Sequence, residues 1–180
     1  MAKVMKKIAW ISTILTISVY ILYQFQPFHW LLSFDITLAT VSYHFVIRLL
    51  IGHLFDRYMK NQADYTKSWY QLRSWEISFY DKIQVKKWKK NVPTYQPEYF
   101  SVKHHTWHEI AQAMCQAELV HETIIIFSFL PIFASRYVGA FFVFLLTSIG
   151  AALFDTMFVV MQRYNRPRII RMILKNDHTT

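Results

Sequence analysis

Glycine and proline are scarce in this 180-residue chain, three and five residues respectively, and there is a single cysteine. So few breakers leave no flexible linker, and the sequence holds neither an internal repeat nor a low-complexity tract. One thiol, Cys115, excludes an internal disulfide and suits a reducing compartment. The Walker loop, the G-x-S-x-G elbow, the dinucleotide glycine fingerprint and H-E-x-x-H are all missing. Enzyme classes built on those motifs are therefore excluded. Acidic residues are few as well, 11 against 20 Lys and Arg, for a net charge of +9.

What is abundant is apolar surface. Hydrophobic residues make up 54% of the chain, above the usual range for a soluble domain, and they gather in blocks at 8–23, 31–55, 124–132 and 137–154. The first block follows Lys3, Lys6 and Lys7, yet no small-x-small cleavage site follows it, so it reads as a retained anchor. The block 137–154 has no charged residue and approaches the ~20 residues that a ~30 Å hydrocarbon core requires. The second block carries Asp35, His44, Arg48 and His53, which suits a helix facing its neighbours with Arg48 snorkelling to water; a re-entrant path is the alternative.

All the Lys and Arg except Arg48 and Arg136 fall in the N-terminal tail, the central stretch and the C-terminal tail. Short positive segments stay inside, so both termini are expected on the cytoplasmic side of the cell membrane. The fold class expected is an all-α membrane protein, with about four transmembrane helices plus cytoplasmic interfacial amphipathic helices. It forms one integral membrane domain over 1–180, with spans at about 8–28, 31–55, 119–136 and 137–161, a cytoplasmic stretch at 56–118 and a cytoplasmic tail at 162–180. The positive charge reads as inside-positive bias and attraction to anionic lipid, and nucleic acid is not an expected partner.

Within the central stretch, Tyr65, Trp69, Leu72, Trp75, Phe79 and Ile83 recur at three- and four-residue intervals, predicting one amphipathic helix at the headgroup level. The pattern breaks at Lys86-Lys87-Trp88-Lys89-Lys90, and Pro93 and Pro97 mark a loop. A helical period restarts at Glu109, Ile110, Met114 and Leu119 and is expected to run into the third span. The basic tail 168–175 is amphipathic and is expected to rest on the membrane surface.

The third span is too short unless it begins near Leu119 or earlier, which draws Glu118, His121 and Glu122 to the edge of the hydrocarbon. Their spacing places them on one helical face, and a carboxylate beside an imidazole is what a general base needs. If spans three and four turn near Arg136 and Tyr137, Glu118 and Asp155 stand equally far from the turn, ~27 Å at ~1.5 Å per residue. Depth therefore allows Asp155 to face the Glu118/His121 pair. A purely structural interhelical network fits the same spacing.

The string Gln162-Arg163-Tyr164-Asn165-Arg166-Pro167-Arg168 reads either as a positive stop sequence or as a guanidinium cluster for the phosphates of a coenzyme-like donor. His104 and His108 have metal-ligand spacing, with His105 and Glu109 beside them, but the other histidines do not complete a second box and no metal is expected. Cys115 is conceivable as an acyl carrier and reads more simply as a buried structural residue.

Three of these motifs together resemble the glycosyl-4,4'-diaponeurosporenoate acyltransferase family, which acts at the last step of staphyloxanthin-type carotenoid synthesis. They are Trp88-Lys89, Ala117-Glu118-Leu119-Val120-His121 and the seven-residue string from Gln162 to Arg168. The resemblance covers roughly the C-terminal half, and departs from the family pattern at Gln116, where a basic residue precedes the Ala-Glu pair. It implies transfer of a fatty acyl group from an acyl-CoA or acyl carrier protein thioester, used as co-substrate, to a sugar hydroxyl of a glycosylated carotenoid or similar glycolipid at the membrane. No tightly bound cofactor is implied. Carried onto this chain, His121 oriented by Glu118 is the base, and Arg163, Arg166 and Arg168 hold donor phosphates. Asn165, Trp88, Lys89 and Asp155 join the substrate-binding set. The competing readings are a non-enzymatic membrane module that binds lipid or a partner, and a His-rich metal-dependent membrane oxidase.

Overall fold

A computed structural model of the chain describes residues 2–92 and 97–177, so the loop expected at Pro93 lies outside the described residues. Every regular element among the described residues is helical. Four helical stretches are long and apolar enough to cross a membrane, at Lys3–Phe25, His29–Tyr58, Trp107–Val138 and Phe141–Asp177, as the hydropathy blocks predict. The chain divides into two compact units, one of residues 1–53 and 124–153, the other of residues 54–123 and 154–180.

Helix α1 (Ala2–Phe25) is rich in Ile and Leu, and its hydroxyls turn inward: Thr13 Oγ1 donates to Ala9 O at 2.7 Å and Thr16 Oγ1 to Ser12 O at 2.8 Å. Its polar atoms are thereby satisfied within the helix, which suits a segment in lipid. Pro27 follows its end, since the residue before a proline is pushed out of the helical region. Helix α2 (His29–Tyr58) meets α1 where the Thr13 and Ser42 hydroxyls lie 2.6 Å apart. Large apolar side chains such as Ile11, Ile14, Ile17 and Leu22 remain exposed along α1, the surface that lipid covers in a membrane protein.

Arg48 does not project free from α2. Its Nη1 donates to His44 O at 2.8 Å and its Nη2 reaches Ala151 O at 3.4 Å, so the charge is directed at backbone carbonyls. Tyr43 Oη donates to Phe127 O at 2.8 Å, and three residues separate Phe127 from Pro131, which opens a new helix. The third hydrophobic stretch is thus two helices, α5 (Trp107–Phe127) and α6 (Pro131–Val138). The turn beyond α6 places Gly139 at φ +72°, a left-handed conformation that glycine adopts without a Cβ penalty.

In the second unit the central stretch departs from the expected single helix over 65–83. It forms a 3-10 turn at Ser68–Tyr70, an extended link, and the short helices α3 (Ser74–Lys82) and α4 (Val85–Trp88). The physical reason is where its carbonyls are used. Trp69 O and Gln71 O accept from Arg163 at 2.9 and 3.1 Å, and Tyr70 O accepts from Arg166 at 2.7 Å. A continuous helix would commit those carbonyls to its own ladder. Periodicity located the exposed aromatics, Trp69, Trp75 and Phe79, but could not reveal a distant guanidinium competing for the backbone.

Helix α7 (Phe141–Asp177) also departs from expectation. Instead of ending in a separate tail helix, it continues through Pro167 to Asp177. An interior proline removes one helical hydrogen bond. Arg163 and Arg166, on the turn just before it, are both tied to other elements of the unit.

Candidate active site

One face of α5 carries Glu118 and His121, and one stripe of α7 carries Asp155, Phe158, Gln162, Arg163 and Arg166. Glu118 is completely buried and Arg166 is 1% exposed. Such charges persist in an interior only when they are paired and hydrogen-bonded. Here the pairing is reciprocal. Arg163 Nη1 donates to Glu118 Oε1 at 2.6 Å, and Arg166 Nη2 donates to Glu118 Oε2.

Glu76 of α3 supplies the second negative charge. Its Oε1 and Oε2 accept from Nε and Nη2 of Arg163 at 2.6 and 2.9 Å, the bidentate fork that guanidinium and carboxylate geometry favours. Glu76 also caps its own helix by accepting from Arg73 N at 2.7 Å, and Tyr80 Oη donates to it at 3.0 Å. Burial pushes the Glu76 carboxyl up, but the Arg163 hydrogen bonds, the Arg73 amide and the Arg163 charge outweigh it and hold it below its usual value. Tyr80 is pushed up to about 12 by burial and the adjacent Glu76 charge, and Tyr70, under Arg166, is pushed up to about 12 chiefly by burial. Two carboxylates and two guanidiniums thus form a neutral cluster that ties α3, α5 and α7 together.

Next to this cluster His121 has different company. Its Nδ1 lies 2.9 Å from Asp155 Oδ1, and its ring stacks on Phe158 at 4.4 Å with an interplanar angle of 6°. Asp155 is 1% exposed at its side chain, His121 20%. A buried carboxylate on Nδ1 selects the tautomer with the proton on that nitrogen and presents Nε2 as a lone pair. No residue among those described donates to or accepts from Nε2. The arrangement is a histidine-aspartate dyad, able to take a proton from a hydroxyl brought to Nε2.

Of the Glu118/His121 pair that Asp155 was expected to face, it meets one member, and Glu118 is paired differently. Asp155 meets His121, while Glu118 meets the two arginines. Arg163 and Arg166 are occupied by carboxylates and backbone carbonyls, whereas Arg168 is exposed. Lys89 extends to α7, where its Nζ donates to Asn165 Oδ1 at 2.5 Å and sits 4.6 Å from the Tyr164 ring centroid. Trp88 donates from Nε1 to Ile83 O at 3.1 Å and packs with Tyr164 against Tyr80, Val85 and Val160. Gln116 bridges Asp56 Oδ1 and the Asn61 amide at 2.9 and 2.7 Å, outside the charge cluster.

Sequence reasoning missed Glu76 and Phe158. The available signal for Glu76 was an acid set inside an aromatic repeat, and for Phe158 it was a position three residues beyond Asp155 on the same stripe. Elsewhere, Cys115 is buried against Ala63 and Tyr70. His104, His105 and His108 line an open groove of about 590 Å3 in which His105 faces Glu109 and His108 bonds Tyr65 Oη. Among the described residues no three His, Cys, Asp or Glu converge as a metal site would need.

Fold and site together define a multi-pass, all-helical membrane protein with a buried arginine-glutamate cluster beside a histidine-aspartate dyad. The family model for glycosyl-4,4'-diaponeurosporenoate acyltransferase matches residues 66–175, which takes in Glu76, Glu118, His121, Asp155, Arg163 and Arg166. That is more than half of the chain, and the chain belongs to this acyltransferase family. No curated protein and no solved structure matches it.

Proposed function

We propose that the protein transfers a fatty acyl group from an acyl thioester, of coenzyme A or an acyl carrier protein, to a sugar hydroxyl of a glycosylated carotenoid or similar glycolipid. The observation that carries this reading is the His121–Asp155 pair, with Nδ1 held at 2.9 Å and the imidazole side chain 20% exposed. His121 Nε2 takes the proton of the acceptor hydroxyl as its oxygen attacks the thioester carbonyl. The tetrahedral intermediate collapses, the carbon–sulfur bond breaks, and the thiolate leaves with the proton that His121 returns. Asp155 keeps the ring in place and stabilises the transient imidazolium.

In this reading Glu118 is a positioning residue. It anchors Arg163 and Arg166, and through them fixes α5 against α7 at the level of the dyad. Asn165, Trp88, Lys89 and Arg168 form the substrate-facing side, and the long apolar tails of donor and acceptor lie in the bilayer among the helices. The site is assigned to the cytoplasmic face of the cell membrane, with both termini on that side, on the strength of the Lys and Arg distribution.

The test is an assay with membranes containing the protein, a labelled long-chain acyl thioester and a glycosylated carotenoid. A labelled acyl-glycosyl product is expected. Its absence, with the protein present in the membrane and a panel of glycolipid acceptors also tried, would overturn the reading.

A further inference from the structure

With Arg163 and Arg166 engaged by Glu76 and Glu118, the phosphate-binding capacity suggested by the arginine string has to reside elsewhere. The cations beside Asn165 are different. Lys89 is half-buried, fixed by Asn165 Oδ1 and the Tyr164 ring, with neither partner carrying a negative charge. Arg168 lies four residues beyond Tyr164 and three beyond Asn165, hence on the same face of α7, and is exposed. Lys86 lies three residues before Lys89 and is exposed. Lys89 reaches the face of α7 that carries Arg168, and burial, then the like charges of Arg168 and Lys86, hold it below the usual lysine range.

Building on the acyl-transfer reading, we propose that Lys86, Lys89 and Arg168 form the docking site for the phosphate groups of a coenzyme A thioester. Three converging cations, one of them half-buried, match a compact multivalent anion, which relieves their mutual repulsion as it binds. The dispersed carboxylates of a carrier-protein surface would gain little from a half-buried lysine. Position agrees as well. Asn165 and Arg168 lie ten and thirteen residues beyond Asp155 on the continuous helix α7, roughly 15–20 Å along its axis. That is the reach of an extended pantetheine arm, so phosphates held at Lys89 and Arg168 leave the thioester at the level of His121.

The test measures binding of coenzyme A itself, with no acyl group and no acceptor, to the full-length protein in detergent micelles, by titration calorimetry. The parent protein and His121→Ala are expected to bind alike, with affinity falling as salt rises. Arg168→Gln, on an exposed side chain, and Lys89→Gln should each weaken binding about tenfold or more, and Lys89→Arg should restore most of it. The exposed Lys67→Gln should have no effect. Undiminished binding in Arg168→Gln and Lys89→Gln, with unchanged thermal midpoints, overturns the assignment. So does displacement of coenzyme A by phosphatidylglycerol vesicles at equal phosphate, which would make the patch a lipid-headgroup site. Because no turnover is read, a failed acyl-transfer reading leaves this result standing, and a failed binding result leaves acyl transfer from another donor open.

Discussion

Arg163 grips Glu76 through Nε and Nη2, at 2.6 and 2.9 Å, and this fork joins the short helix α3 to the long helix α7. Both side chains are largely buried, 11% and 5% exposed, so removing one leaves an uncompensated charge. Glu76→Ala should destabilise the protein by about 3–5 kcal/mol, read as the midpoint of thermal unfolding in micelles. The double change Glu76→Met with Arg163→Met should recover part of that loss. Additive losses in the double variant would show that the two residues are not coupled.

The same pair makes stability sensitive to acid. Glu76 is held below the ordinary glutamate value of 4.5, so the unfolded chain takes up its proton first as pH falls. The contribution is whole above about pH 4.5 and is lost as pH falls through the lower, folded value. Melting curves from pH 7 to pH 3 should therefore drop more steeply for the parent than for Glu76→Gln. Parallel curves would contradict the account.

Gln116 accepts from the Asn61 amide and donates to Asp56, serving a turn whose Lys60 and Asn61 both have positive φ. Gln116→Leu fills the volume but takes the acceptor from the Asn61 amide and one donor from Asp56, a cost of about 1–3 kcal/mol. Because Gln116 lies outside the charge cluster, the acyl-transfer rate of the folded fraction should change by less than about threefold. A rate loss without a stability loss would move Gln116 into the site.

Asp155→Asn preserves shape while replacing the acceptor on His121 Nδ1 by a group that can donate to it. The imidazole then loses its fixed tautomer, and the rate at saturating substrate should fall on the order of 10²–10⁴-fold with little change in donor binding. A variant that loses donor binding instead would mark Asp155 as structural.

Much of this was legible in the sequence, for reasons that differ by residue. The spans announce themselves because lipid requires uninterrupted apolar length, and counting residues along two helices allowed Asp155 to reach the level of His121. The partners were harder to read. That Glu118 takes the arginines while Asp155 takes the histidine depends on helix rotation, and a helical stripe fixes rotation only to within a residue or two. Glu76 was invisible because its fork to Arg163 spans much of the chain, and the same long-range contacts broke the helix expected over 65–83. The Lys89–Asn165 bond likewise joins two motifs that the sequence shows only as separate strings.

The most direct measurement is the single-turnover rate of acyl transfer by His121→Ala in reconstituted membranes, beside the parent, with coenzyme A binding and thermal midpoint measured on the same samples. The account predicts a rate at least about 100-fold lower, with coenzyme A binding unchanged and the protein still folded. A folded variant that retains the parent rate would contradict the role of the His121–Asp155 dyad as the base.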